Sequence, residues 1–492
     1  MTLLSHESPD SRPGKILVLF TILLPTLLAM TGLVLDGGTL MLDARHAQHA
    51  ADAAATAAAT QLRLGRSTAT AQSAAQAEVQ TVYGWPDATV TVTRPPQSGA
   101  YAGSQQHVHV RIKRDTPLQF MPLVTGNWQE QVVAEATAGY EDSTAGAAVV
   151  VLDPSPAPLS ILNLPLLLPS LPSLIGGLEV LGLGKAEVHG AVLVNCKWGG
   201  VDEQGQPAGS NSGPPYAVAC TPLLSLSKLK ARDLRVVGGV DRKQNYSPLA
   251  SNQPAPLKAN RMPVLDPLRD LPVPTIAVDP ANVRSTNHGG KLLIGLPIGP
   301  AIRLTPGVYD WIDVVAGRVI FEPGIYIIRG KHPVTNHSLT LLAGTIEAEG
   351  VMFYLTNSAA YSATSGAPDS ADGQSEPAAA GVGVLVPSAV INLGLLGSSF
   401  TPLNSPSSPF HGMMFYQRRH DRRPIVFVQE NLLGAGRLEG TVYAKWGHVL
   451  LAGKGDYNAR FVSGTMRILA LLDLRIMPTN LLPAAQDVFL VQ

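Results

Sequence analysis

Apolar positions fall into three regimes along the chain: one unbroken run near the N-terminus, a helical stripe of small residues after it, and short runs from there onward. The unbroken run, residues 16–35 (ILVLFTILLPTLLAMTGLVL), carries no charge. At helical rise about 20 residues span a hydrocarbon core of about 30 Å, so the run predicts a membrane-spanning helix over 15–36. Arg12 and Lys15 precede it, and Asp36 and Asp43 follow ahead of Arg45. That order places a short tail, 1–14, in the cytoplasm and exports the remainder. A cleaved signal sequence is the competing reading, with Ala29 and Thr31 as small residues for a peptidase. Signal cores are usually about 7–15 residues, and the greater length favours a retained anchor. Pro25 is compatible with a membrane helix whose neighbours satisfy the freed carbonyl.

Past Gly37 and Gly38, strong helix formers continue to Gly65. Ala44, Ala47, Ala51, Ala54 and Ala58 recur at spacings of three and four and line one face. Small residues let backbones approach closely, so the stripe predicts a docking face for a partner helix. The alternative is a helix solvated all round, because alanine buries little area. A second Ala- and Gln-rich helix is expected over 67–82. ATVTVTR and HVHVRIKR then alternate with period two across a Pro- and Gly-containing turn and predict an antiparallel hairpin. A short helix over 117–124 and the strand EQVVAEATAGY complete a small α+β unit within 37–145.

Residues 146–185 are apolar but interrupted by Pro165, Pro169 and Pro172, and read as a joint or cap. Short apolar runs follow to residue 480, two of which are near copies: Pro306-Gly307-Val308-Tyr309 and Pro323-Gly324-Ile325-Tyr326. Repetition of turn and strand at this interval predicts an all-β body, a parallel β-helix over 186–480, with a β-sandwich as the alternative. Residues 358–380 lack any apolar period and are expected to be a disordered insertion, and 481–492 a tail.

Composition narrows the function. Lys plus Arg and Asp plus Glu are 36 each, so no net field recruits nucleic acid or anionic lipid. The 47 glycines and 40 prolines agree with a turn-rich body. Cys196 and Cys220, the two cysteines, are expected to pair if exported, with two buried thiols as the alternative. His46 and His49 lie one helical turn apart without further ligands at useful spacing, and no metal or cofactor is expected. Asp310 with Asp313, or Glu347 with Glu349, are the carboxylates a glycan-cleaving site would need. Arg418, Arg419, Arg422 and Arg423 in QRRHDRRP form a candidate anion patch, or a solvated turn. No GxSxG, HExxH or GxxxxGK[ST] occurs.

Gly32, Asp36, Gly38, Arg45, Gln48, Ala50, Ala51, Asp52, Ala53, Ala54 and Ala55 follow the apolar run in an order that resembles the N-terminal segment of the Flp pilus-assembly TadE/TadG-like family. The resemblance covers about 50 residues and implies a single-pass protein whose helix joins other pilin-like or Tad-assembly membrane proteins. Prepilin-type members carry Glu five residues after the processing Gly, whereas Leu19 follows Gly14 here. That departure implies an uncleaved accessory rather than a fibre subunit. The metal motif of the von Willebrand A domain found in some members is matched by Asp153 and Ser155 but not by Ala157. The Pro-Gly-x-Tyr runs, with residues 350–356 and 440–444, are also similar to exported members. The resulting expectation is a non-enzymatic, membrane-anchored assembly accessory with an exported scaffold or adhesive surface for a glycan or surface ligand. The alternatives are a glycan-active enzyme and an adhesin unrelated to pili.

Overall fold

The computed structural model describes residues 13–99, 101–142, 145–157, 160–161, 176–222, 227–296, 299–377, 384–393, 398–429, 436–484 and 486–491. Two compact units emerge, Met1–Glu141 with Val488–Gln492, and Asp142–Asp487. Most of the tail expected to be cytoplasmic, the proline-interrupted core of the expected joint (162–175) and the end of the expected insertion (378–380) lie outside the described residues.

The first unit is built on one long helix, α1 (Pro13–Arg63), which runs through Pro25 without a break. Gly65 at φ 71° ends the turn that follows it. Helix α2 (Thr68–Ala77) then starts at Ser67, whose hydroxyl accepts from the Thr70 amide at 3.2 Å. The predicted hairpin is present: Thr89–Thr93 pairs antiparallel with His107–Pro117, and that strand with Gln129–Asp142. Alternation puts Val108, Val110, Ile112, Val132, Ala134, Ala136 and Ala138 on the buried face. They share one core with alanines of α1 and with Ala71, Ala75 and Val79. The segment expected as a tail instead supplies the fourth strand of this sheet, Gln486–Val491.

The second unit is a nearly all-parallel sheet that closes on itself. Starting from Gly307–Ala316, parallel pairings pass through Gly324–Ile328, Thr345–Leu355, Met413–Gln417, Arg437–Ile476, Ile425–Gln429, Ala389–Asn392 and Leu339–Leu341, and return to Gly307–Ala316. This eight-strand parallel barrel corrects the expected β-helix. Runs that read as separate coils are joined by long strands that pair with different neighbours along their length. Gly307–Ala316 pairs with one neighbour through 307–309 and another through 312–314, and Arg437–Ile476 pairs on several sides in the same way. The two Pro-Gly-x-Tyr copies are adjacent strands within this circuit, with the Tyr309 and Tyr326 rings stacked at 5.8 Å.

Inside the barrel Phe321, Phe353, Phe415, Phe427 and Phe461 form a continuous row, with ring centroids 5.1–6.4 Å apart. Each such contact adds about 0.5–1.5 kcal/mol beyond its area. Strands Ala147–Val151, Gly176–Gly182 and Lys185–Val194 extend the sheet beyond Arg437–Ile476. A connector over 264–286 then crosses back from Asn195, which bonds Val264 through both amide atoms, to Val308, whose amide donates to Thr286. It helps cover a second row of aromatics, Tyr354, Tyr416 and Tyr443. The insertion expected to be disordered is ordered over 358–377. Tyr361 and Asp369 are buried there, Tyr361 donating to the Pro274 carbonyl and Asp369 accepting from Tyr354 at 2.7 Å.

Candidate functional site

The residues that set α1 apart from an ordinary apolar helix converge on one loop of its own unit. Gly32 and Asp36 are four apart and therefore share a face. A Cβ added at Gly32 would sit 2.6 Å from the Phe120 Cβ, so glycine is what lets the loop approach the helix. One turn on, the Asp36 carboxylate accepts from three consecutive backbone amides, Gln119 at 3.1 Å, Phe120 at 2.9 Å and Met121 at 2.6 Å. Only 3 % of Asp36 remains exposed. Asp43 accepts from Thr116 Oγ1 at 2.8 Å and lies 3.7 Å from Arg114. Farther along, Gln48 donates to Asp52 and to the Glu135 carbonyl, both at 3.0 Å, and Tyr83 donates to the His49 carbonyl. These contacts fasten the hairpin 107–142 along the helix, with its closed end at Gly32 and Asp36.

The alanine stripe is occupied by the same unit. Ala47, Ala51, Ala54 and Ala58 are buried, as are Ala50, Ala55 and Ala59, against α2 and the sheet, while Ala44 is exposed. Close approach is what the stripe provides, but the element it receives belongs to this chain. Before Asp36 the helix is different: Leu19, Phe20, Ile22, Leu23, Leu24, Leu27, Met30, Leu33, Val34 and Leu35 are all exposed. This helix is long and apolar enough to cross a membrane, which suits a single anchor or a signal sequence. His46, His49 and Arg45 are exposed, and the ideal Cβ of Gly38 meets nothing within 4 Å.

In the barrel unit the expected anion patch is neutralised from within. Arg418 pairs with Asp372 at 2.7 Å and Asp369 at 3.2 Å. Arg419 donates to the carbonyls of Arg269 and Leu271, Arg422 to Glu376, and Arg423 holds Asp421 at 2.9 Å. These arginines tie down the insertion and the connector rather than present charge to solvent. Burial pushes the Asp369 carboxyl up to about 6, and that of Asp153, which caps the Ser155 amide at 2.9 Å, likewise to about 6.

Three of the four candidate carboxylates are engaged separately, and Glu349 is exposed. Asp310 pairs with Arg329 at 2.8 Å and Glu347 with Arg318 at 2.7 Å, while Asp313 is buried 4.0 Å from His332. The expected Cys196–Cys220 disulfide is corrected to two free, buried thiols, with desolvation pushing Cys196 up to about 12. A cleft of about 320 Å3 is lined by Arg437, Glu439, Asn458 and Arg460. Its polar groups already pair: Arg437 and Asn458 with Glu439, and Arg460 with Thr441.

No curated protein and no solved structure matched the chain at a significant level. Nothing in the comparisons identifies the C-terminal body. The segment that does match is the helix just described: residues 14–61 are similar to the family model "Putative Flp pilus-assembly TadE/G-like", a match that implies association with pilus-assembly machinery.

Proposed function

We propose that this protein is a membrane-anchored accessory of a Flp/Tad-type pilus-assembly system, without catalytic activity of its own. The observation that carries the reading is the match over 14–61, because its marker residues Gly32 and Asp36 have a structural task here. The apolar helix stays in the membrane with its N-terminus in the cytoplasm, and the chain beyond it lies outside. The lipid-facing part of α1 meets other assembly proteins, since the alanine face is already filled. The barrel acts as an exported scaffold or as a surface for a glycan or surface ligand. The separate ion pairs of Asp310 and Glu347 favour this over a glycan-cleaving enzyme.

The test is deletion of the protein in its native cell, followed by complementation. Loss of surface pili, restored by the wild-type chain and not by Gly32→Leu, is the expected outcome. Normal piliation after deletion would overturn the assignment.

A further inference from the structure

The loop that closes the hairpin, residues 117–128, has an unusual composition for a connection: PLQFMPLVTGNW contains no charged residue. Its chain neighbours do, with Arg114 and Asp115 before it and Glu130 after it. The loop is fixed in height relative to α1. Phe120 packs at Gly32 and the amides of 119–121 bind Asp36. Gly32 lies within the apolar run 16–35, three residues from its end, which at helical rise is about 5 Å inside the hydrocarbon boundary. Asp36 is the first polar residue beyond it. The hairpin therefore points its closed end back at the membrane rather than away from it.

The surface at this level is apolar on both elements. Trp128 is 66 % exposed beside the Leu118 amide, which donates to its carbonyl at 2.9 Å, and Phe120 and Met121 are half-buried. On α1, Leu33, Val34, Leu35, Met41 and Leu42 are exposed around the junction. Tryptophan favours the boundary where an apolar ring meets polar headgroups. A charged loop held about 5 Å below the boundary would be strongly disfavoured, whereas an uncharged one carrying Phe, Met and Trp is stabilised there.

We infer that residues 117–128 form a second, interfacial membrane contact, in which Phe120, Met121 and Trp128 enter the headgroup–acyl boundary of the leaflet through which α1 leaves the bilayer. The occupant of this apolar surface is lipid, because Asp36 and Gly32 hold the loop where the apolar run ends. A two-point attachment fixes the tilt and rotation of the unit on the membrane, as a single span does not. The inference rests on α1 being a retained anchor.

The experiment uses the full chain reconstituted into phosphatidylcholine vesicles carrying bromine either at the upper acyl carbons or near the bilayer centre. Trp128 emission is taken as the difference between wild type and Trp128→Phe. At least twofold quenching of that component by the shallow bromines, with little by the deep ones, is expected. A nitroxide at Met121→Cys gives an independent measurement, with collision by oxygen favoured over a water-soluble nickel chelate. Failure of the chain to float with the vesicles overturns the anchor reading. Flotation with Trp128 unquenched and the nitroxide water-accessible overturns the interfacial contact alone, and assigns the apolar surface to a protein partner.

Discussion

Replacing Gly32 by Ala sets two effects of opposite sign against each other. In an exposed helix, Gly→Ala is stabilising by about 1 kcal/mol through backbone entropy. Here the new methyl would lie 2.6 Å from the Phe120 Cβ, against about 3.5–4.0 Å for carbon atoms in contact, so helix and loop must separate by about 1 Å. A rigid retreat of that size would lengthen the Met121-to-Asp36 bond from 2.6 Å to about 3.6 Å, beyond hydrogen-bond range, and the two longer bonds with it. Overpacking of this kind costs about 1–3 kcal/mol, which falls on the loop and not on the helix. The measurement is amide hydrogen exchange in reconstituted protein. Amides 119–121 should exchange about 10- to 100-fold faster in Gly32→Ala while those of α1 keep their protection. Asp36→Asn should release the same amides with Gly32 intact. Exchange at 119–121 within threefold of wild type in both variants would refute the docking role given to the two residues.

Three further outcomes follow from the barrel unit and one from the alanine face. Arg418→Ala leaves Asp369 and Asp372 buried without their partner and should destabilise the unit by about 3 kcal/mol in denaturant titration, while inorganic phosphate neither binds nor protects the wild type. Without reductant, neither cysteine should react with a thiol reagent in the native state and both should react after denaturation, whereas a disulfide would leave none to react. Asp369 has its folded-state pKa raised from 3.8 to about 6 by burial, so its contribution is fully present below about pH 4 and is lost as pH rises through about 6. Wild type should therefore lose about 1 kcal/mol relative to Asp369→Asn between pH 5 and pH 7, and a difference that is flat or of opposite sign contradicts the assignment. Ala54→Gln forces a long amide into a filled helix contact and should unfold the first unit, seen as general loss of exchange protection rather than selective loss of a binding partner.

What could be read from the sequence was what local periodicity controls. The unbroken apolar run and the alternation of Val90, Val108, Val110 and Ile112 each specify an element without knowledge of the rest of the chain. The alanine stripe correctly announced a close neighbour, but spacing cannot say whether that neighbour is another protein or α2 a few residues downstream. The arginine run was misleading for a related reason. Only Asp421 is visible beside it, while Asp372 and Glu376 lie 46 residues away from Arg418 and Arg422, and the carbonyls of Arg269 and Leu271 about 150 from Arg419. Charge that looks free in sequence is paired in space. The insertion 358–380 has no apolar period because its described part is anchored by scattered residues, the buried Tyr361, Ala363 and Asp369 and the ion-paired Asp372 and Glu376. Closure of the sheet depends on long strands pairing with different neighbours along their length, a property of long-range register that short apolar runs do not carry.

The change of character along α1 at Asp36 limits how this protein can meet a partner. On the N-terminal side the described side chains from Leu19 to Thr31 are largely exposed and apolar, as lipid-facing or helix-packing surface must be. On the C-terminal side most of its alanines, from Ala47 onward, are consumed in packing its own unit. On the proposed function, an assembly partner in the membrane meets the first part of the helix, and whatever it does to that part is passed on. Gly32 and Asp36 clamp the hairpin to the helix at the boundary, so a rotation of the span turns the hairpin with it instead of being absorbed in a flexible exit. Glycine and aspartate four residues apart are a small mark in a sequence, but they are where the apolar helix becomes mechanically continuous with the folded unit outside it.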